Sequence, residues 1–383
     1  MNRALHISHT DIRSDSRILK EMLAINEIEE FELFGLGINR FDGQIPSKSS
    51  ESLSIVTKQM LSLKIKFLPS TLRYFFEVFE LSILSIVQII KLRPHIVHCH
   101  YVNPLPAVSI LNFFMNYKII YDAHELESDR NGISKINGKL VKFVEKLCWN
   151  RITSFITVSE SVGDWYLKEF GNKDLTIIYN APLLQSENIG SNNRNNNYFR
   201  NKFNIKNNEL VGVYVGIFQH GRGIHKLIKL YEELNNNHHL IFLGYGADIK
   251  IVENAAKRNR NIHFHQKIDH DKVVSVLSSA DIGYCLLEDV SLSDYYSLPN
   301  KIFEYINSGL FTISCDFPEI KKTLEPSYGK TFNQELDGII GFLNQNKTNL
   351  FKENRNSTFE DKFTWSSQKS KLGLLYKHLF TAG

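Results

Sequence analysis

Short, almost continuously apolar runs alternate with longer amphipathic stretches along the whole chain. The first half contains ALHISH, FELFGLGI, SLSIVTK, HIVHCH, KIIYDAHE, SFITVSE and LTIIYN, and the second contains LVGVYVGIF, HLIFLGYG, NIHFHQK, IGYCLLE and LFTISCD. Apolar runs of this length are typical of parallel strands that helices cover on both faces. Stretches such as GKLVKFVEKLCWNRI and HDKVVSVLSSA have helical periodicity. The alternation predicts βαβ units and an α/β protein with two doubly wound halves.

A polar segment interrupts this alternation near the middle of the chain. Residues 183–208 are rich in asparagine and almost lack apolar periodicity, so we interpret them as a linker with an irregular entry into a second domain. We therefore predict Rossmann-like domains over 1–182 and 209–360, and a final helix within 361–383. Because ligands bind at the carboxyl ends of the strands in such sheets, the two domains are expected to face a shared cleft.

The bulk composition is that of an ordinary globular protein. The chain has 383 residues, more than one hydrophobic core usually covers, which agrees with two domains. The net charge of +4 is too small, without a clustered patch, to indicate nucleic-acid binding. The start, MNRALHISHTD, has no secretory apolar region. The scattered cysteines are expected to be buried thiols in a reducing compartment: Cys99, Cys148, Cys285 and Cys315.

One segment, Leu72–Ile90, is apolar enough to raise the question of a membrane. Glu77 and Glu80 interrupt it, and the apolar run after Glu80 covers only about half of the roughly 20 residues that a span needs. We predict a buried or interfacial helix. Basic residues nearby leave docking on a membrane surface open, although a solvated face is the favoured interpretation: Lys58, Lys64, Lys66 and Arg73.

The stretch SLPNKIFEYINSG predicts a helix whose start is suited to an anion. Pro299 fits the first helical turn, where an N–H would be unpaired anyway. Free N–H groups at a helix start attract phosphate, and Lys301 adds a positive charge there. Glu304 lies one turn further on, where its carboxylate could accept from ribose hydroxyls. The alternative is that Glu304 only complements the helix dipole and pairs with Lys301.

Two further stretches follow predicted strands and carry polar groups. In VGIFQHGRGIHKLI, Gly221 and Gly223 would let the backbone approach a ligand, and Arg222 could reach phosphate oxygens; an ordinary turn with a solvent-facing arginine is the alternative. In YDAHELE, Asp122, His124 and Glu125 cluster at the carboxyl end of a strand, although Asp122 could serve only as a helix cap.

A metal site is not predicted. His98 and His100 alternate along one strand and therefore share a face of the sheet. We considered these two histidines together with Asp122 as ligands. Their spacing favours a metal no better than chance would.

Taken together, these stretches resemble glycosyltransferase family 4, the retaining nucleotide-sugar enzymes with the GT-B fold. The resemblance is strongest between Gly212 and Asp316, through GIFQHGRGIHKLI, HLIFLGYG, NIHFHQKI, LSSADIGYCLL and YYSLPNKIFEYINSGL, and PNKxxEY is its most specific element. HISHTDIRSDSRILKEML, RPHIVHCHYVNPLP, IIYDAHELE and ITSFITVSESV resemble the acceptor-side domain. The closing FTW and helix are also similar, and in the family that helix crosses back to the first domain.

The resemblance implies roles for individual residues. Glu304 would hold the donor ribose, Lys301 and Arg222 would contact the diphosphate, and His124 would lie near the reacting sugar; these four are the candidate catalytic residues. The remaining candidates for donor binding are Gly216, Gly221, Gly244, His265, Lys267, Tyr295, Tyr296, Ser297 and Leu298, of which His265 and Lys267 belong to the turn that lines the nucleobase. The acceptor-side candidates are Asp11, Arg13, Arg17, Asn103, Asp122 and Glu125.

The chain departs from the family pattern at three places. Tyr296 stands where the family has the first glutamate of a pair, and Ile217 stands where it usually has an arginine. TDIRSDSR replaces the glycine-rich loop near the N-terminus. These departures leave the donor sugar open.

The implied activity is transfer of a sugar from a nucleotide-diphosphate sugar to a hydroxyl of a glycan or lipid-linked glycan, with retained configuration. It would need no metal and no cofactor beyond the donor itself, and it would take part in polysaccharide or cell-envelope biosynthesis. We expect a cytoplasmic enzyme, with peripheral contact to the inner membrane face. The alternatives are a nucleotide-sugar epimerase of the same fold and a non-catalytic nucleotide-sugar-binding scaffold.

Overall fold

The computed structural model describes residues 2–28, 30–39, 53–64, 70–182, 197–234, 237–269, 272–346 and 361–381. The chain divides into two compact units. The first unit consists of Met1–Asn180 and Ser366–Gly383, and the second is Ala181–Trp365. Of the predicted linker, 183–196 lie outside the described residues. The predicted irregular entry is wrong, because Tyr198–Phe203 form a helix in which Phe199 and Arg200 are buried.

The first unit is built on a sheet of parallel strands. Within the described residues the strand order is β3-β2-β1-β4-β5-β6-β7, and every neighbouring pair is parallel. The strands are β1 (Asn2–Ile7), β2 (Phe31–Asn39), β3 (Ser54–Gln59), β4 (Ile96–His100), β5 (Lys118–Ala123), β6 (Ser154–Thr157) and β7 (Asp174–Ile177). The chain starts at β1, grows outward to β3, and then returns to β4 on the other side of β1. The topological switch point of this sheet, where the strand order reverses and ligands of such sheets bind, therefore lies between β1 and β4.

Helices connect these strands and cover the sheet. They are α1 (Ser16–Asn26), α2 (Ser70–Leu92), α3 (Leu105–Leu111), α4 (Lys135–Cys148) and α5 (Glu160–Phe170). The last helix of the chain, which we number α14 (Trp365–Thr381), also packs on the first unit, with Leu372, Leu375 and Leu379 buried. The ring of Tyr376 on the same helix lies edge-on to Phe31 of β2, with centroids 5.5 Å apart.

The second unit repeats the same design. Within the described residues its strands have the order β10-β9-β8-β11-β12-β13, all parallel, so the switch point lies between β8 and β11. The strands are β8 (Leu210–Ile217), β9 (His238–Tyr245), β10 (Ile262–Gln266), β11 (Ile282–Cys285), β12 (Phe311–Cys315) and β13 (Gly329–Phe332). The helices are α6 (Tyr198–Phe203), α7 (Ile224–Glu233), α8 (Ile249–Arg258), α9 (Val273–Leu277), α10 (Leu292–Tyr295), α11 (Asn300–Asn307), α12 (Pro318–Leu324) and α13 (Asp337–Gln345).

The predicted α/β class with two parallel sheets is confirmed, and burial explains why the sequence pattern was informative. All residues of β4 and of β12 are buried, as expected for strands covered on both faces. In the second unit Tyr214, Phe218, Phe242 and Tyr284 fill the core. The strand β3 differs from the prediction, because most of its residues are exposed at the edge of the sheet.

Candidate functional site

The carboxyl ends of β8 and β9 require glycine in the second unit. Gly216 has a φ of 131° and Gly244 a φ of 157°, both in the region that side chains disfavour. A Cβ on Gly244 would lie 1.9 Å from the carbonyl oxygen of Gly216, so the two strand ends could not approach each other as they do. Two of the predicted donor-binding glycines therefore allow the backbone conformation that the strand ends adopt beside the switch point.

The turn after β8 is tied to the loop after β11. Gly221 has a φ of 80°, and its carbonyl accepts from the amide of Glu288 at 3.0 Å. A Cβ on Gly223 would lie 2.1 Å from the carbonyl oxygen of Leu286. The close approach of these two loops places Arg222 at the switch point of the sheet.

Arg222 is held by an ion pair, so the alternative of a simply solvent-facing arginine is wrong. Its Nη1 lies 3.7 Å from Oδ1 of the buried Asp294, and its side chain is 31% exposed. Asp294 belongs to α10, a single helical turn. Its Oδ2 accepts from the hydroxyl of Ser291 at 2.8 Å. Arg222 is thus fixed beside the segment that carries the predicted diphosphate contacts.

The predicted diphosphate segment follows directly on α10. The ring of Tyr295 packs between those of Tyr296 and Phe317, at 5.2 Å and 5.1 Å between centroids. The Ser297 hydroxyl donates to the carbonyl of Asp294 at 2.8 Å, and Leu298 is buried. The chain therefore enters the next helix through a tightly bonded turn.

Pro299 is the N-cap residue of α11 and not a member of its first turn, which corrects the sequence prediction by one position. The physical reason is unchanged, because an N-cap residue also needs no N–H for the helix ladder. None of the described side chains caps this helix start. Glu304 is half-buried one turn into α11, and Ile302, Phe303, Tyr305 and Ile306 form the buried face.

A buried tyrosine that we did not predict fixes α11 to the sheet. The hydroxyl of Tyr305 donates to the carbonyl of Tyr284 and accepts from the amide of Val215, both at 3.0 Å. Its ring fills the space beside Gly283, where a Cβ would lie 2.4 Å from the ring. Tyr305 thus fixes α11 to β8 and β11.

Lys301 extends from the start of α11 towards the end of β8. Its Nζ lies 3.7 Å from the centroid of the Tyr214 ring and 3.6 Å from the position that a Cβ on Gly216 would take. Burial raises the pKa of the Cys285 thiol at the end of β11, and the charges of Lys301 and Arg222 oppose that rise. Both cations are therefore close to the switch point, where a diphosphate could bind between them.

The predicted nucleobase turn lies at the ends of β9 and β10. Nδ1 of His265 lies 2.6 Å from the carbonyl of Gln266, so it must donate, and Nε2 therefore accepts from the hydroxyl of Tyr198 at 2.7 Å. Burial lowers the pKa of His265, which keeps this neutral tautomer. Lys267 lies with its Nζ 5.2 Å from the ring centroid of the half-exposed Tyr245.

In the first unit, Asp122 is the centre of a buried charge cluster. Its Oδ1 accepts from Nη2 of Arg17 at 3.1 Å, and its Oδ2 lies 3.3 Å from Nε2 of His124 and 3.4 Å from Nδ1 of His100. Burial alone would raise the pKa of Asp122, but the neighbouring charges of Arg17 and His124 hold that pKa well below its usual range. Asp122 is therefore a buried carboxylate and not a helix cap.

A chain of hydrogen bonds continues from His100 through the sheet. Nε2 of His100 lies 2.9 Å from Nδ1 of His6, and the hydroxyl of Tyr376 lies 3.0 Å from Nε2 of His6 and 2.9 Å from Nδ1 of His98. All four side chains are fully buried. Burial lowers the pKa of His6 and of His100 well below the ordinary value, so these rings are neutral.

His98, His100 and Asp122, the ligands weighed for a metal site, lie close together in the structure. Ligand atoms of His98 and His100 lie within 4.8 Å of one another and of those of Glu21 and Asp122, and imidazole with carboxylate is a set that suits several transition metals. Arg17, however, already pairs with both carboxylates, with its Nε 3.1 Å from Glu21. The positive charge of Arg17 therefore lies beside both carboxylates, where a bound cation would have to compete with it.

Apart from Arg17, the other acceptor-side candidates do not join the cluster around Asp122 as one site, and each has its own partners. Arg13 forms a bidentate ion pair with Asp11, with Nε 3.1 Å from Oδ1 and Nη2 3.0 Å from Oδ2, and its side chain stays partly exposed. Arg17 is buried, and its Nη1 donates to the carbonyl of Ile178 at 2.8 Å, which makes it a structural residue and not a surface contact. Asn103 donates to the hydroxyl of Tyr74 at 3.1 Å, and Oε1 of Glu125 lies 3.7 Å from Arg130.

Two buried histidines of the first unit are expected to lower its stability on acidification, while the buried carboxyls of Glu21, Glu127 and Glu145, whose pKa values burial raises, act in the opposite direction. Because His6 and His100 have pKa values lowered by burial from 6.5, the unfolded chain binds protons below about pH 6.5 that the folded chain does not. The contribution of these histidines to the free energy of unfolding is thus fully present above pH 6.5 and is lost below it, by up to about 1.4 kcal/mol per pH unit for each histidine. Urea unfolding of the full chain at pH 7.5 and 5.5 measures this dependence. His6→Asn should lose less free energy of unfolding between these two pH values than the parent protein does, whereas His378→Asn on the exposed side of α14 should behave as the parent does. Equal pH dependence in both variants would contradict the account.

Two parallel doubly wound sheets, with Lys301 and Arg222 at the switch point of the second one, define the class of protein: the fold is GT-B. Two family models match the chain, "Glycosyltransferase Family 4" over residues 60–181 and "Glycosyl transferases group 1" over residues 195–335. The chain belongs to glycosyltransferase family 4, and the resemblance drawn from its motifs is confirmed.

Solved structures agree on the fold. A sucrose-phosphate synthase from Thermosynechococcus elongatus is 15% identical, with 100% of each chain covered and a TM-score of 0.78. Anabaena HepE in complex with UDP is 12% identical, with 99% of this chain and 100% of that chain covered and a TM-score of 0.71. WaaG, a glycosyltransferase involved in lipopolysaccharide biosynthesis, is 12% identical, with 99% and 98% covered and a TM-score of 0.61. No curated protein matches the chain significantly.

Proposed function

We propose that this chain is a retaining glycosyltransferase that moves a hexosyl group from a nucleotide-diphosphate sugar to a hydroxyl of a glycan or lipid-linked glycan. The observation that carries the proposal is the placement of Lys301 and Arg222 beside the uncapped start of α11, at the switch point of the second sheet. HepE, a structure with the same fold, was solved with UDP and with UDP-glucose. A nucleotide-diphosphate sugar is the donor that fits both the two cations at the start of α11 and the ligands bound to HepE.

The chemistry follows from where charge develops. As the bond between the sugar and the β-phosphate lengthens, negative charge grows on the phosphate oxygens. Lys301, Arg222 and the amides at the start of α11 would stabilise that charge, as preorganised donors do in an oxyanion hole. With side chains supplying the positive charge, the reaction needs no metal. Attack by the acceptor on the face that the phosphate leaves would retain the configuration without an enzyme nucleophile.

We place the acceptor reaction with the first unit and with cell-envelope or polysaccharide biosynthesis. WaaB, another structure with this fold, is titled a lipopolysaccharide outer core galactosyltransferase, which suggests a lipid-linked glycan as acceptor. The four free cysteines are buried, as suits a reducing compartment, so we propose the cytoplasmic side of the membrane. None of the helices in the described part of the chain combines the length and apolar character that crossing a membrane requires.

A non-catalytic scaffold is the second candidate, and one observation favours it. Tyr296 and the 45% exposed Ile217 stand where the family has a glutamate and usually an arginine. One assay separates the candidates: the protein is incubated with labelled nucleotide sugars, with and without a lipid-linked acceptor and with a chelator. Acceptor-dependent release of nucleotide that survives chelation supports the proposal. Interconversion of sugars would indicate an epimerase, and binding without turnover a scaffold.

Replacing Glu304 with alanine is expected to weaken donor binding and turnover at least about tenfold, while the melting temperature changes little. Glu304 is half-buried on the side of α11 opposite its buried residues, so its loss leaves the buried face of the helix intact. Isothermal titration with the donor nucleotide and thermal unfolding measure the two quantities. Unchanged affinity with a lowered melting temperature would favour the alternative role of Glu304 at the helix dipole.

A further inference from the structure

Helix α2 exposes apolar side chains along the face that points away from the sheet. Its buried positions recur every fourth residue and include two polar ones: Glu77, Leu81, Ser85 and Ile89. Apart from Lys91 near the end of the helix, the exposed side chains described on α2 are apolar, at 44–66% exposure: Leu72, Phe75, Phe76, Phe79, Ile83, Val87 and Ile90. The outward face is therefore more apolar than the inward face, which does not fit the solvated face that the sequence favoured.

Two neighbouring elements extend this apolar face. Ile110, Phe113 and Phe114 at the end of α3 are 61–82% exposed, and Ile136, Leu140, Phe143 and Leu147 of α4 are 55–80% exposed. The spacing of the four residues on α4 places them on one side of the helix, opposite the buried Glu145. We call the outward sides of α2, α3 and α4 the apolar face.

The topology explains why the three helices lie side by side. The crossovers from β3 to β4, from β4 to β5 and from β5 to β6 all run in the same direction across the sheet. Right-handed crossovers therefore put α2, α3 and α4 on the same face of the sheet. α2 packs against α3 and α3 against α4, and the guanidinium of Arg151 after α4 lies 3.4 Å from the ring centroid of Phe113.

Basic residues outnumber acidic ones on the three helices that form the apolar face. In sequence the three helices carry three acidic residues, and all are turned away from it or engaged. Glu77 is buried, Glu145 accepts from the hydroxyls of Tyr121 and Tyr166, and Glu80 accepts from the amides of Leu61 and Ser62. The same helices carry six basic residues, of which Arg73 lies 3.7 Å from Glu77 and Lys142 lies 2.6 Å from Glu169 of α5, and the others are exposed: Lys91, Lys135, Lys139 and Lys146. A wide apolar face with a basic rim marks an interaction site.

We propose that the apolar face docks the protein on an anionic lipid bilayer. Exposed aromatic and aliphatic side chains with lysines beside them are what a helix lying in the bilayer interface requires, since the apolar groups enter the acyl boundary and the cations meet lipid phosphates. A helix of 23 residues lying flat offers about 35 Å of such contact. A second copy of this chain is a poorer occupant, because a two-fold contact would bring the basic rims together. The inference stands independently of the proposed reaction.

Vesicle flotation of the full chain tests the docking. Large unilamellar vesicles contain either phosphatidylcholine alone or phosphatidylcholine with about one-third phosphatidylglycerol, at low and at high salt. We expect binding to the anionic vesicles at least about tenfold tighter than to the neutral ones, and weakened by salt. The variant Phe75→Ser/Phe79→Ser/Phe143→Ser should lose at least about tenfold in affinity for anionic vesicles, because it removes apolar groups from α2 and α4 together.

Two matched controls guard against general effects. Leu374→Ser removes a 69% exposed leucine from α14, and Lys257→Gln removes an exposed lysine from α8; both should bind vesicles as the parent does. Lys135→Gln/Lys139→Gln/Lys146→Gln should lose the preference for anionic lipid. Equal binding to both vesicle types, or binding that the serine variant leaves unchanged, would overturn the proposal. Absence of vesicle binding together with self-association that the serine variant abolishes would instead assign the face to a second copy.

Discussion

Replacing Lys301 with methionine is expected to lower the turnover number by about 10²–10³-fold, with donor affinity falling less. Nζ of Lys301 lies at the end of β8, over the Tyr214 ring and beside Gly216. In the proposed reaction its charge counts most when the β-phosphate leaves, and the loss of one such preorganised group has about this effect on rate. Steady-state kinetics with the nucleotide-sugar donor and acceptor measure the change.

The matched control for this experiment is Lys229→Met. Lys229 lies on α7, where it is 69% exposed and faces Glu233 at 3.9 Å, so its replacement removes the same charge far from the switch point. Turnover of this variant should equal that of the parent protein. A Lys301→Met protein that is folded and keeps the parent turnover number would remove Lys301 from the reacting centre.

Replacing Asp122 with alanine is expected to lower the free energy of unfolding by about 3–5 kcal/mol. Asp122 and Arg17 are both buried, and Nη2 of Arg17 donates to Oδ1 of Asp122. Removing one partner leaves a buried charge that the structure compensates only in part, through Glu21, and breaking a buried pair typically has an effect of this size. Urea unfolding followed by circular dichroism, with the transition of the first unit fitted separately, measures the loss.

Two further variants distinguish the effect of an unpaired buried charge from the effect of lost side-chain volume. Arg17→Met/Asp122→Leu should recover most of the lost free energy, because an apolar pair of similar size leaves no buried charge. Asp164→Ala on the exposed side of α5 should change the free energy of unfolding little. An Asp122→Ala protein as stable as the parent would show that the cluster around Asp122 does not hold the first unit together.

The sequence predicted the parts of the fold that local patterns determine. Continuous apolar runs identified β4 and β12 because strands covered on both faces have no polar side. The stretch PNKxxEY predicted α11, and Lys301 at its start predicted an anion site there. Such features depend on residues that are close together along the chain.

The features that the sequence did not predict depend on contacts between distant residues. The network of His6, His98 and His100 is completed by Tyr376, which is 370 residues away from His6 in the chain. Nothing near Tyr305 indicates that its hydroxyl bridges β8 and β11. The outward face of α2 was missed for a different reason, since a helix that is apolar on nearly all sides has no periodicity that distinguishes its buried side.

The central claim is that the start of α11, with Lys301 and Arg222, binds the diphosphate of the donor. A crystal structure of the protein soaked with nucleotide-diphosphate sugars tests it most directly. We expect both phosphates within hydrogen-bonding distance of the amides that follow Pro299, with Nζ of Lys301 and the guanidinium of Arg222 on either side. A nucleotide bound elsewhere, with the start of α11 left open, would contradict the account.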